Sequence, residues 1–234
     1  MFSFKRFSIL LVTVVTVIST AAAQNNQRRE MTPEESYLQE SIEIMIIRET
    51  ARAYTREQKF IALEYIGEAL GRGSTNDEIR QTLEYLSREG RASTARENGR
   101  IVNNFPDVRR QAAKYLGQIG TEEARKDLIE IIQFENEEAV LQEAIKALGD
   151  IGANPNNETV IHISWVMNRY NTLKPDNLMA LATIDTFEKI ARKNNGINSP
   201  EAIRTLILIS EGLYVTPVRE RAKQLLAELR TYGR

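Results

Sequence analysis

Apolar residues recur along this chain in steps of four, four and three. Val108, Ala112, Leu116 and Ile119 are the clearest case. Val140, Ala144, Leu148 and Ile151 repeat it, because VRRQAAKYLGQIG (108–120) returns thirty-two residues later as VLQEAIKALGDIG (140–152). That spacing lines one face of a helix with about 3.6 residues per turn. Val218, Ala222, Leu226 and Leu229 form another copy, Ala62, Ile66 and Ala69 a shorter one, and Met179, Thr183, Phe187 and Ile190 a weaker one. Each copy has a small residue near its middle, where a neighbouring helix can approach. The LG and IG glycines thin the helix side or end it, as glycine does near a C-cap.

A second amphipathic stretch precedes each copy. Thr121-Glu122-Glu123 opens one with a capping threonine and acidic residues in the first turn, and Leu128, Ile131 and Ile132 give it an apolar side. Others begin at Thr32, Thr75, Glu158 and Ser199. The spacing predicts five helix pairs over 32–72, 75–120, 121–152, 156–195 and 198–232. No stretch alternates with period two, so no sheet is expected. The fold class is all-α. Pairs that cannot bury their apolar faces alone stack into an α-solenoid, here a domain over 32–234.

PDVRRQAAKYLGQIG resembles the second helix of a HEAT repeat, in the variant also seen in phycobilin lyase-like repeats. The resemblance covers 75–152 and 198–232 well, 32–72 fairly and 156–195 weakly. HEAT copies usually carry Asp and then Val-Arg at this helix start, and the arginine tends to form ladders between repeats. Asp107, Val108 and Arg109 match, and Val218-Arg219 matches in part. Leu141 stands at that place in the third copy and Lys59 in the first, so the resemblance implies a broken ladder. Fold alone does not fix a function.

One segment breaks the rhythm. EGRASTARENGRIVNN, 89–104, lengthens the second pair and carries Arg91, Arg96 and Arg100. It reads as an inserted loop, or as a short extra helix from Ser93 to Val102. Long loops inside compact arrays are often functional. With Arg109, Arg110 and Lys114 close in sequence, it is a candidate basic binding patch beside the groove.

Composition narrows the setting. Lys5 and Arg6 precede an uncharged apolar run to Ala23, ending in Ala21-Ala22-Ala23. This is the pattern of a secretory signal peptide, residues 1–23, cleaved after Ala23, with a short linker over 24–31; the alternative is an uncleaved N-terminal anchor. The run is shorter than the roughly 20 residues a spanning helix needs, so no membrane span is expected after cleavage. The chain has 31 basic and 32 acidic residues; without Lys5 and Arg6 the net charge is −3. That balance does not suit a nucleic acid, whose affinity comes from phosphate neutralisation. There is no cysteine, which fits a periplasmic or secreted protein and removes thiol chemistry.

No catalytic or cofactor motif is present. His162 is the only histidine, and it reads as a packed or half-exposed helix residue. A HEAT-like enzyme group binds a di-iron centre through repeated His-Glu pairs; this chain has none. Trp165 reads most simply as core, with a solvent-facing anchor as the alternative. Glu34-Glu35, Glu122-Glu123 and Glu137-Glu138 read as helix openings. No cofactor, no metal and no enzymatic activity are expected.

If 108, 112, 116 and 119 face inward, 110, 114 and 118 face outward, and so on through the pairs. The outward stripe is basic at Arg110, Lys114 and Lys146 and leans acidic at both ends, as at Glu64, Glu68 and Glu228. In a HEAT-type solenoid that stripe lines the concave face. Mixed charge suits a protein or peptide partner. The expectation is an exported non-catalytic scaffold that binds another envelope protein there, with the basic loop as an edge contact. The alternative is a structural part of a larger envelope assembly, joined through its ends. Leu206-Ile207-Leu208-Ile209, more apolar than one face needs, hints at the latter.

Overall fold

The structure is a computed structural model that describes residues 32–91, 94–173 and 175–232, with no side chains for 171–173. The expected signal segment and linker, 1–31, lie outside the described residues.

Two compact units divide between Ile42 and Glu43. The described part of the first is the opening of α1 (Pro33–Ala51). There Glu35 N donates to Thr32 Oγ1 at 3.2 Å and Thr32 N to Glu35 Oε2 at 3.0 Å, a capping box that satisfies two helix-end donors.

The second unit holds the stack. After α1 come α2 (Arg56–Gly71), α3 (Asp77–Ser87), α4 (Pro106–Ile119), α5 (Glu122–Phe134), α6 (Glu138–Ile151), α7 (Glu158–Leu173), α8 (Asn177–Asn194), α9 (Pro200–Glu211) and α10 (Thr216–Leu229). The helices fall within the five expected segments, and α3 with α4, α5 with α6, α7 with α8 and α9 with α10 pack as pairs. Second helices pack on second helices, in the order α2, α4, α6, α8, α10, and first helices α3, α5, α7 and α9 do likewise. The all-α solenoid is thus built from contacts between neighbouring pairs.

Periodicity predicts the buried face. Val108, Ala112, Leu116 and Ile119 are buried, as are Val140, Ala144, Leu148 and Ile151, and all join one continuous apolar core. In the last helix the register differs by one: Leu225 is buried and Leu226 is only half-buried. Thr121 Oγ1 caps α5 by accepting from Ala124 N at 3.2 Å. Asn76, not Thr75, caps α3, accepting from Glu78 N at 2.9 Å.

The repeated glycines have two separate jobs. Gly120 and Gly152 end α4 and α6 in the left-handed region, at φ 72° and 66°. Gly117 and Gly149 set the spacing between second helices. A Cβ on Gly117 would lie 2.7 Å from Ala147 Cβ, and one on Gly149 would lie 2.9 Å from Thr186 Oγ1. At the second contact Thr186 Oγ1 also donates to Ile145 O at 2.8 Å, a buried bond from α8 to α6.

The expectation of no sheet fails at one place. β1 (Arg96–Glu97) and β2 (Arg100–Ile101) pair antiparallel, Arg96 opposite Ile101. The short helix over 93–102 is overturned with it. The cause is Asn98-Gly99, at φ 49° and 80°, the two positive values that a tight primed hairpin turn requires.

Candidate functional site

The inserted hairpin leans on a buried ionic network that begins one pair earlier. Lys59 on α2 and Arg109 on α4 are each 1% exposed. Lys59 Nζ meets Glu89 Oε2 at 2.8 Å and donates to Ala51 O at 3.0 Å. Arg109 Nε donates to Glu135 Oε2 at 2.7 Å, and its Nη1 donates to Asn104 Oδ1 and to Glu89 O. Glu89 and Glu135 occupy the same structural place, just past the first helix of the following pair. The expected break at Lys59 is therefore wrong. Lysine supplies the cation, so the ladder runs from α2 through α4 and stops at Leu141, which is apolar and buried.

The acids are held as firmly as the bases. Glu135 Oε1 accepts from Asn136 N at 2.8 Å, from Glu137 N at 3.0 Å and from Arg91 Nη1 at 2.7 Å. Burial pushes the Glu135 carboxyl up, but Arg109 and the two backbone N–H groups outweigh it, and the carboxyl sits below its ordinary value. Glu89 Oε1 accepts from Asn103 Nδ2 at 2.8 Å, and Asn103 Oδ1 accepts from Ala95 N at 2.8 Å, which ties the hairpin's base to the network. Gly90, at φ 73°, runs so close to Asn103 and Asn104 that a Cβ would strike their backbone.

Between the hairpin and α5 lies a cavity of about 630 Å³. Arg91, Asn104, Arg109 and Glu135 form its polar wall, and Ile101, Ile131 and Phe134 its apolar wall. Asp127 also lines it, and there burial raises the carboxyl by more than its contact with Arg80 lowers it.

The expected basic patch divides. Arg91 is turned to Glu135 and lines the cavity. Arg96 Nη1 donates to Gly99 O at 3.2 Å within the hairpin, and Arg100 is exposed on β2. Arg110, Lys114 and Lys146 are exposed on α4 and α6 and line none of that cavity. Lys114 instead borders a groove between α2 and α4 with Glu64, Glu68 and Tyr115, and Lys146 borders one between α6 and α8. Arg109, expected in the patch, is instead buried against Glu135, so it and Arg91 belong to the ladder, apart from the second-helix stripe.

Trp165 is not core. It is 50% exposed on α7, with the Arg169 guanidinium 5.6 Å from its ring centre. The buried positions of that helix include Val160, Ile163, Val166, Met167 and Tyr170, so 165 falls on the outer face. His162 is half-buried, its Nδ1 3.1 Å from Gln133 Nε2. Of the four aliphatics in the last pair, Leu206 and Ile209 are fully buried, while Ile207 is exposed. Among the described residues no three His, Asp or Glu side chains gather as metal ligands, and no helix is long and apolar enough to cross a membrane.

Sequence reasoning missed Glu89 and Glu135 as ladder acids, and the hairpin. The signal for the hairpin was available in Asn98-Gly99, the strongest short-range hairpin dipeptide.

Residues 100–162 match the family model described as HEAT repeats. None of the curated proteins matches the chain. Among solved structures, the complex of CpcE and CpcF of phycocyanin lyase from Nostoc sp. PCC7120 is similar over 87% of this chain and 90% of that chain, at 13% identity and a TM-score of 0.41. Second helices stacked on second helices, with a buried cation near the start of α2 and of α4, make the described part of this chain an all-α solenoid, and its stretch over 100–162 is similar to HEAT repeats.

Proposed function

We propose that this chain is an exported, non-catalytic scaffold that binds a protein of the cell envelope along the outward stripe of its second helices. The observation that carries the reading is the state of Arg110, Lys114 and Lys146. All three are exposed on consecutive second helices, and none has a counter-ion among the described residues. Elsewhere arginines are mostly spoken for, as in Arg56 with Asp107, Arg80 with Asp127 and Arg221 with Glu188. Unpaired cations raise the on-rate for an acidic partner surface and fix its register. HEAT repeats suit this role, since stacked pairs present extended faces to partners. Export rests on the basic start, apolar run and Ala21-Ala22-Ala23 of the sequence.

The test is photocrosslinking in intact cells from position 114, with Lys126, exposed on α5, as the control. One envelope protein captured from 114 and not from 126 supports the scaffold. Capture from neither removes it. Fractionation with sequencing of the mature N-terminus tests cleavage after Ala23.

A second reading, a structural part joined through the last pair, is favoured by one observation. Leu213 is 91% exposed and Val215 is 51% exposed, in the loop between α9 and α10. Terminal repeats ordinarily carry a polar outer face. Crosslinking from 213 into a large assembly, with none from 114, would replace the first reading by this one.

A further inference from the structure

The cavity beside the hairpin has the build of a binding site, and it is separate from the second-helix stripe. Its volume of about 630 Å³ lies in the range of pockets that enclose a ligand. Its polar wall is fixed in advance, because Arg91 and Arg109 are held by Glu135 and Asn104 is held by Arg109.

Charge decides what it takes. Each lining cation already has an acid: Arg88 has Glu84 and Glu130, while Arg91 and Arg109 share Glu135. The lining acid Asp127 has Arg80. Glu137 lines the cavity, is exposed, and has no cation within salt-bridge reach among the described residues. An anion entering here would find no unspent positive charge among the described lining residues. Phe134 and Ile101 line the same cavity and are 63% and 40% exposed. An aromatic face with a carboxylate attracts an ammonium or guanidinium group, and the isoleucines suit the aliphatic stem beneath such a group.

We infer that this cavity takes a lysine- or arginine-bearing apolar segment of a protein partner, with its cation at Phe134 and Glu137 and its apolar neighbours on Ile101 and Ile131.

The experiment titrates the full chain with a fluorescent short peptide of alternating leucine and lysine, against one of alternating leucine and glutamate. Saturable binding of the first is expected. Phe134→Ala and Glu137→Gln should each weaken it by about tenfold. Both side chains are on the surface, so thermal unfolding of the two variants should match the parent chain. Glu123→Gln, an exposed change elsewhere on α5, should bind as the parent does. Equal binding of the glutamate peptide, no saturation at millimolar peptide, or unchanged binding by both variants would overturn the inference. Displacement of the peptide by equimolar spermidine would overturn its protein-partner part in favour of a free amine.

Discussion

Arg109 Nε donates to Glu135 Oε2 at 2.7 Å with both side chains at most 2% exposed. The two lie 26 residues apart and join α4 to the C-terminal end of α5. Two charges taken out of water are a liability unless each is matched. Here every oxygen of Glu135 is hydrogen-bonded, and the guanidinium reaches Asn104 and Glu89 O as well. Removing either partner strands the other, so the two losses should not add. Arg109→Met and Glu135→Gln should each lower the unfolding free energy by about 3–5 kcal/mol. The Met/Gln double variant should fall short of the sum of the two by about 0.5–3 kcal/mol in a urea double-mutant cycle.

Acid should attack the same contact. The Glu135 carboxyl is held below its ordinary value, so it binds its proton more weakly folded than unfolded. Its contribution is fully present above the unfolded-state value of about 4.3 and is lost as pH falls through the lower folded-state value. Asp107 acts in the same direction, since burial raises it but Arg56 and Val108 N outweigh that. Stability measured from neutral to acid pH should fall for the parent chain and fall less steeply for Glu135→Gln.

The repeated LG glycine and an isolated one should respond in opposite directions to alanine. Gly117→Ala places a methyl 2.7 Å from Ala147 Cβ and 2.9 Å from its Cα, and should cost about 1–3 kcal/mol. Adding Ala147→Gly should restore part of that loss. Gly71 ends α2 with nothing within 4 Å of its would-be Cβ, so Gly71→Ala should stabilise by about 0.4–1 kcal/mol. Chemical denaturation of the three variants checks both signs.

Gly99→Val should open the hairpin without unfolding the stack. The residue sits at φ 80°, where a β-branched side chain is strained whatever the space around it. Limited trypsin digestion should then cut faster after Arg96 and Arg100, both exposed, while helicity by circular dichroism stays unchanged.

The helices and the inward face were legible because burial imposes its own period. Val108, Ala112, Leu116 and Ile119 could be placed with no knowledge of what they touch. Leu226 was misjudged by one position, because Leu225 and Leu226 are chemically alike and only tertiary packing separates them. Lys59 was read as a gap because the ladder was expected in arginine, yet a buried cation needs only a matched acid. That acid, Glu89, lies in the inserted segment, where no periodicity marks it. Trp165 was read most simply as core, with a solvent-facing residue as the alternative; the helical register places it on the outer face. The cavity was not legible at all, since it exists only between the hairpin and a helix of the next pair.

The end of the ladder at Leu141 has a consequence for ionic strength. The first junctions each contain an ion pair closed to water, Lys59 with Glu89 and Arg109 with Glu135. Beyond them the ionic ties reach into solvent: Arg125 joins α5 to Glu158, 47% exposed, and Arg221, 37% exposed, joins α10 to Glu188. Dissolved ions screen exposed charges beyond a length of about 8 Å at physiological concentration and hardly reach buried ones. Rising salt should therefore weaken the exposed ties, at either end of the stack, while leaving the two buried pairs nearly untouched.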